Sequence, residues 1–595
     1  METFRQVREG MRIDFNVPIP TRDGTPVMAN IYHPEEEGVY PVIFNYGIYG
    51  KDLHYMDGYT NWYERLKNHG PGFFTDTSGI HHCWEVLDPE KWCRWGYIIA
   101  RIDSRGTGQT PGYMHPYCKK ESEDIYDAIE WFAAQPWCNG KVGMSGTSYH
   151  AVHMWTASSY QPPHLAAMVA WEGHSDIYRD AFRHGGILSQ FYNHWYTRQP
   201  VRVQYGRGDK GFKSRVTGQN VAGGSDLSEE ELQANRSYYG TEIASPDNVL
   251  ITDFHRQTMP DLTKIQAPFI AMVNWSGQGL HLRGSIEAYV KASSEHKHMY
   301  SLVGPHGDLY FADWGVNLQK KFFDNYLRGD NSGWKGMPKV QLRTVRPGQP
   351  MFTPIEDAPG RYRDEAEFPL ARTQYTKFYL DCANYGISKE VPSAKGKLTY
   401  RGFSEGVTFL SQPAEEEFEF TGYIKGKVFV SSETTDADLF LTVRLFGPGM
   451  KETVLWGSNC QNVPITIGWQ RASHRKQDPK LTTEERPFLT HDELWPLKPG
   501  EIVEMDVEVL PGTMIVPKGY RLGLTISGQD HRYTGWKKPA HQIPVVDDPE
   551  RIDGIGPFIH NDPQDRPAEI FDCNVTLHFD DDKRPYLLLP VIPKK

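Results

Sequence analysis

Six short runs set the strongest limit on what this chain can become: VIFNYG (42–47), YIIARID (97–103), KVGMS (141–145), LAAMVAW (165–171), FIAMVNW (269–275) and MYSLVG (299–304). Each has strand length and polar, Gly or Pro borders, and most are apolar on both faces. A strand without a polar face must be covered on both sides, as in a sheet with helices above and below. Helical patterns lie between the runs. In ESEDIYDAIEWFAAQPW, Ile125, Ala128, Ile129 and Phe132 share a face, and Pro136 ends the run. Strand alternating with helix predicts a mostly parallel α/β sheet in the first half.

Between LAAMVAW and FIAMVNW lie 97 residues, far more than one crossover helix requires. The stretch is rich in Gly, Arg, Tyr and Gln and has little apolar periodicity, so 176–261 is expected to be an inserted cap. Near Pro369 the pattern changes to period two. Val503, Met505, Val507 and Val509 face one way, and Glu504, Asp506 and Glu508 the other. Leu439, Leu441, Val443 and Leu445 share a face, as do Leu522, Leu524 and Ile526. This predicts an antiparallel β-sandwich or jelly roll of roughly 220 residues. The expected division is 1–175 and 262–368 for the two parts of the α/β unit, 176–261 for the cap and 369–595 for the jelly roll.

The net charge of -11 opposes nonspecific attraction to nucleic acid or an anionic membrane. No window approaches a membrane-spanning length of apolar residues. METFRQVREGMRIDF has no apolar stretch of signal-peptide length. The cysteines are odd in number and lack a CxxC pair, as free thiols in a reducing cytoplasm would be, and a cytoplasmic location is the expectation. His81, His82 and Cys83 are adjacent, but no second pair completes a metal site, so neither metal nor cofactor is expected. The abundant aromatic residues are read first as packing.

In KVGMSGTSYHAV, two serines each follow a glycine by two positions. A nucleophile elbow exposes a serine on a sharp strand-to-helix turn, with the helix N-terminus aimed at the site. KVGMS reads as strand and YHAVHMWTASS as helix. Ser148 therefore sits on the turn, and Ser145 at the strand end faces into the sheet. His150 occupies the position of the usual second glycine. MYSLVG leads into Pro305-His306-Gly307, which places His306 as the base for the Ser148 proton. The backbone N–H of Tyr149 and the hydroxyl of Tyr49, in the loop after VIFNYG, are the expected oxyanion donors, with Tyr46 competing for the second role.

These stretches resemble the cocaine-esterase/X-Pro dipeptidyl-peptidase group, the CocE/NonD hydrolases. IYGKD resembles its tyrosine oxyanion loop, DSRGTGQTPG (103–112) its arginine-glycine signature and GTSYHA its nucleophile elbow. WEGHSDIYRD (171–180), SGQGLHLRGS (276–285), RASHR (471–475), THDELWPLKPGE (490–501) and IHNDPQDRP (559–567) also match, in order, over nearly the whole chain. The resemblance implies an α/β-hydrolase fold with a helical cap and a C-terminal jelly roll. It implies Ser148 as nucleophile, His306 as base, Tyr49 and Tyr149 as oxyanion donors, and a substrate near Trp171, Trp275 and Gln278.

One departure matters. The family segment S-D-Q-G-L-H is Ser276-Gly277-Gln278-Gly279-Leu280-His281 here, so glycine replaces the triad aspartate. Glycine can neither orient an imidazole nor stabilise its charged form. Glu172 and Asp176 are the candidate substitutes; Asp308 lies too close in sequence to His306. The leading reading is a serine esterase acting on a small molecule, with amide or peptide cleavage ranked below it and a homodimer allowed. Two others stand: an acyl transferase or lyase on the same fold, and a degenerate noncatalytic binder.

Overall fold

The apolar runs form the centre of an eleven-stranded sheet in the computed structural model, which describes residues 3–70, 72–238, 242–348, 362–533 and 553–594. In chain order its first seven strands are β1 (Phe4–Arg8), β2 (Met11–Ile19), β3 (Val27–Pro34), β4 (Tyr40–Gly47), β5 (Ile98–Asp103), β6 (Cys138–Thr147) and β7 (Leu165–Trp171). A separate hairpin, β8 (Arg183–His184) and β9 (Ile187–Leu188), lies in the long connection. The sheet resumes with β10 (Phe269–Asn274), β11 (Lys297–Leu302), β12 (Val340–Arg343) and β13 (Tyr362–Glu365). Its order is β1-β2-β3-β5-β4-β6-β7-β10-β11-β12-β13.

From β5 to β12 every neighbouring pair is parallel. Antiparallel strands flank this core at both edges. Every residue of β5 and β10 is buried, because helices cover both faces. The helix Lys119–Ala133 buries Ile125, Ala128, Ile129 and Phe132 completely. The strand order reverses around β5, β4 and β6, and in open α/β sheets such a switch point opens a crevice at the carboxyl ends of the strands. The long connection from β7 to its parallel neighbour β10 reaches that end of the sheet through Trp195, which donates to Tyr49 in the loop after β4.

The C-terminal strands form a β-sandwich that curls on itself. Its longest strand, Phe418–Ser432, pairs with Val503–Val516, Asn574–Phe579 and Tyr586–Ile592. In Val503–Val516 the period-two pattern is visible in burial: Val503, Met505, Val507 and Val509 are buried and Glu504 is exposed. Asp438–Phe446 departs from the expected single apolar face, since Phe440 and Thr442 are buried as well. The second face is covered by the loop carrying His560 and Arg566, whose ring and guanidinium pack on Phe440. Among the described residues no helix is long and apolar enough to cross a membrane.

Buried charges join the long connection to the sandwich. Asp565 accepts from Arg183 at 2.6 Å and from Arg471 at 3.0 Å. Asp438 accepts from Arg471 and Arg566, each at 2.8 Å. An isosteric Asp565→Asn change leaves Arg183 and Arg471 short of a buried counter-charge, which costs about 3–5 kcal/mol. The expected outcome is a clear drop in the thermal midpoint by calorimetry; an unchanged midpoint would show that this network is dispensable.

Candidate active site

β6 ends at Thr147, and the helix Tyr149–Ser158 begins two residues later. Ser148 turns the chain between them at φ 59°, ψ -116°. That left-handed backbone is held by its own N–H, which donates to Trp171 O at 2.9 Å and Glu172 O at 3.1 Å. Ser145 points away from the turn toward the helices that cover the sheet, where it bonds Tyr310 and Gln319. His150 takes the place of the usual glycine because Gly47 on the next strand has no side chain. A Cβ there would lie 2.1 Å from His150 Cε1. His150 Nδ1–H donates to Tyr46 O at 2.9 Å, and burial pushes its pKa down to about 3.

In this structure the histidine lying against Ser148 is not the expected His306. Ser148 Oγ lies 3.0 Å from Nε2 of His281, the residue before the helix Leu282–Lys291. His306 stacks beside His281, with centroids 5.4 Å apart and rings 15° from parallel. Carboxylates take both of its nitrogens: Glu85 Oε1 lies 2.9 Å from Nε2 and Glu172 Oε2 lies 3.2 Å from Nδ1. The Glu172 contact has ion-pair distance but is bent away from good hydrogen-bond geometry. Two buried carboxylates around one ring favour imidazolium, with Nε2–H donating to Glu85 and Nδ1–H held at ion-pair distance from Glu172.

Glu172 is firmly placed. Asn274 Nδ2 donates to its Oε2 at 3.1 Å, Ser458 Oγ at 3.2 Å, and Gly307 N–H donates to Oε1 at 3.3 Å. A Cβ on residue 277 would start 3.4 Å from Glu172 Oε2. The carboxylate from β7 thus occupies the space beside the missing side chain on the loop after β10. Ser458 comes from the sandwich, and its backbone also accepts from His306 N at 3.0 Å. Glu85 arrives from the loop after β4, where its carbonyl accepts from Thr147 N at 3.0 Å.

These neighbours set the charges. Burial alone would lower the His306 pKa, but Glu172 and then Glu85 outweigh it and hold it up at about 10. Burial raises the Glu85 carboxyl, partly offset by His306, to about 7. His281 moves the other way: burial, with His306 and His174 adding to it, pushes its pKa well down. The stabilisation from the His306 imidazolium is therefore complete below the ordinary histidine range and is lost as pH rises through about 10.

The other sequence candidates divide. Tyr49 packs edge-on against the Tyr149 and His150 rings, 6.0 and 5.8 Å away. Its oxygen accepts from Trp195 Nε1 at 3.3 Å. Burial and the Glu85 charge push its pKa well up, so the phenol keeps its proton as a donor. The Tyr149 N–H belongs to the first residue of the elbow helix, while its hydroxyl donates to Glu121 at 2.7 Å. Tyr46 donates to Asp124 instead. Trp171, Trp275 and Gln278 do not form the expected substrate wall. Trp171 is core against Tyr310 and Trp314, Trp275 packs on Phe368, and Gln278 Nε2 donates to Pro464 O and Ile465 O. Asp176 pairs with Arg179 at 2.6 Å and accepts from its N–H, a local cap. His81, His82 and Cys83 point to Glu9, Asp88 and Arg101 respectively.

Sequence reasoning missed two contributors. His281 ends the SGQGLH segment and was readable as a polar residue beside the Gly277 position. Glu85 carried no signal, because HHCWEV resembles any irregular loop.

Residues 23–308 match the family model for the X-Pro dipeptidyl-peptidases of the S15 family, and 332–564 match that for the X-Pro dipeptidyl-peptidase C-terminal non-catalytic domain. The chain is 23% identical over 590 residues to the cocaine esterase of Rhodococcus sp. (strain MB1 Bresler), covering 87% of this chain and 90% of that protein. A CocE/NonD family hydrolase from Staphylococcus aureus matches with a TM-score of 0.78 at 26% identity, over 98% of this chain and 94% of that one. An α-amino acid ester hydrolase shares the fold, with a TM-score of 0.66 at 13% identity, over 97% and 96% of the two chains. The chain belongs to the CocE/NonD and X-Pro dipeptidyl-peptidase family of hydrolases.

Glu85→Gln removes one of the two carboxylates on His306. The His306 pKa is expected to fall by roughly 1–3 pH units, read from its Cε1–H resonance in an NMR titration. Glu172, His281 and the Arg65–Asp308 pair stay in place around the ring. A pKa that does not fall would mean that Glu85 does not hold the charge.

Proposed function

We propose that the chain is a serine esterase for a small-molecule ester, with amide cleavage ranked second, working through an acyl-enzyme on Ser148. Glu172 serves as the triad acid in place of the one absent at Gly277. The observation that carries this reading is the Glu172 carboxylate, 3.2 Å from His306 Nδ1 and 3.4 Å from where a side chain at 277 would begin. The relative from Rhodococcus is named an esterase and the family model a dipeptidyl-peptidase, which supports acyl chemistry at this position.

In the proposed sequence His306 Nε2 exchanges Glu85 for the Ser148 hydroxyl when substrate displaces the resting contact. Neutral His306 takes the Ser148 proton as Oγ bonds the acyl carbon. The Tyr149 N–H and the Tyr49 hydroxyl receive the negative charge on the carbonyl oxygen. The C–O bond breaks, and the proton passes from His306 to the departing alcohol. Water, deprotonated by His306, then adds to the acyl carbon and frees Ser148. Only the neutral imidazole can start this cycle, so the rate rises with pH until His306 is deprotonated. The segment 176–261 acts as the cap, and 369–595, read as a jelly roll, braces Glu172 through Ser458.

Intact mass after fluorophosphonate treatment should show one adduct that disappears in Ser148→Ala. In steady-state hydrolysis of an activated ester, Glu172→Gln should lower kcat by about 10³–10⁴-fold, the scale of losing a triad acid. Adding Gly277→Asp to Glu172→Gln should recover part of the loss, since the family carboxylate then enters the vacated space. Full activity in Glu172→Gln would remove Glu172 from the triad.

A further inference from the structure

We propose that His281 is a catalytic hydrogen-bond donor to the nucleophile, fixed as a neutral imidazole with its proton on Nε2. The inference rests on the Ser148–His306 reading above and assigns a third group to the reacting oxygen. His174 N–H donates to His281 Nδ1 at 3.2 Å. A nitrogen that accepts a hydrogen bond carries no proton, and a neutral imidazole has one N–H to place. That proton is therefore on Nε2, 3.0 Å from Ser148 Oγ, and the hydroxyl oxygen accepts it.

The surroundings hold this state. His281 lies between two nearly parallel rings, His174 at 5.8 Å and His306 at 5.4 Å. No described carboxylate lies within ion-pair distance of either nitrogen of His281, whereas each nitrogen of His306 has one there. Protonating His281 would set a cation against the His306 imidazolium and force Nδ1–H against the His174 N–H. Taking the Ser148 proton would do the same, so His281 is built to give a hydrogen bond rather than to take a proton.

Its role follows from the charge on Oγ. As Ser148 loses its proton to His306, Oγ becomes a stronger acceptor and the bond from His281 Nε2–H shortens. The donor stabilises the alkoxide-like oxygen without reorganising, which is the condition under which a fixed donor aids a reaction. The proton on His281 never leaves that ring. The bond formed is Oγ to the acyl carbon, the bond broken is to the leaving alcohol, and His306 makes both proton transfers.

A donor without basicity can substitute for His281. Its amide N–H makes His281→Gln the conservative variant, and His281→Leu removes the donor. On an activated ester, His281→Gln should lose no more than about tenfold in kcat and His281→Leu about 10²–10³-fold, the scale of one lost donor at a developing anion. KM should change little in both. Two-bond ¹H–¹⁵N correlations of the wild-type protein give an independent readout and should show His281 protonated at Nε2 and bare at Nδ1 through neutral pH. An Nδ1–H tautomer, or a His281→Gln protein as inactive as Ser148→Ala, would overturn the proposal and make His281 the base. Retained turnover and labelling in Ser148→Ala would instead overturn the underlying serine mechanism.

Discussion

Three residues of the site share one costly constraint. Ser148, Glu172 and Glu85 have positive φ angles of 59°, 51° and 64°, and none is a glycine. Such backbone costs of order 1–3 kcal/mol per residue and persists only where the surroundings over-determine it. Here one interlocked set of bonds does so. The Ser148 N–H is held by the carbonyls of Trp171 and Glu172, and the Glu85 carbonyl is held by Thr147 N–H. The strain therefore aims three side chains into one volume at the carboxyl ends of β4, β6 and β7. The sheet supplies the force at Ser148 and Glu172, because the strands β6 and β7 that carry these two turns are buried and cannot yield without losing their pairing.

The charge pattern follows from that placement. A buried imidazole with a carboxylate at each nitrogen becomes a cation, while an equally buried imidazole beside it, with a backbone N–H at Nδ1, stays neutral. His306 and His281 are chemically identical and stacked in parallel, yet their neighbours drive their pKa values apart. Pairs of titratable groups separated in this way mark the division of labour in many active sites. The cost of burying two glutamates is met by Asn274, Ser458, Gly307 and the cation itself.

The sandwich takes part in this arrangement. Ser458 gives its hydroxyl to Glu172 and its carbonyl to His306 N–H, and its own N–H donates to Ser276 O at 3.0 Å. One residue of the second unit thus ties Glu172 to the loop after β10 and to the loop carrying His306. The Asp565 and Asp438 network fixes the same unit to the connection between β7 and β10. The placement of Glu172 and His306 consequently depends on contacts between units far apart in sequence.

What the sequence determined by itself was local. The apolar runs specified the central parallel strands, because a strand with no polar face has only one kind of environment. The period-two segments specified the sandwich, and the strand–turn–helix around Gly146-Thr147-Ser148 specified the elbow. Gly277 was legible as a missing acid, and Glu172 as one of two replacements. Tertiary structure placed the two differently: β7 and β10 are neighbours, so Glu172 lies beside residue 277, while Arg179 occupies Asp176. It also decided which histidine touches Ser148 and brought in Glu85 from an unremarkable loop. Those outcomes depend on distances between segments separated by tens to hundreds of residues, and no local pattern of side chains encodes such distances.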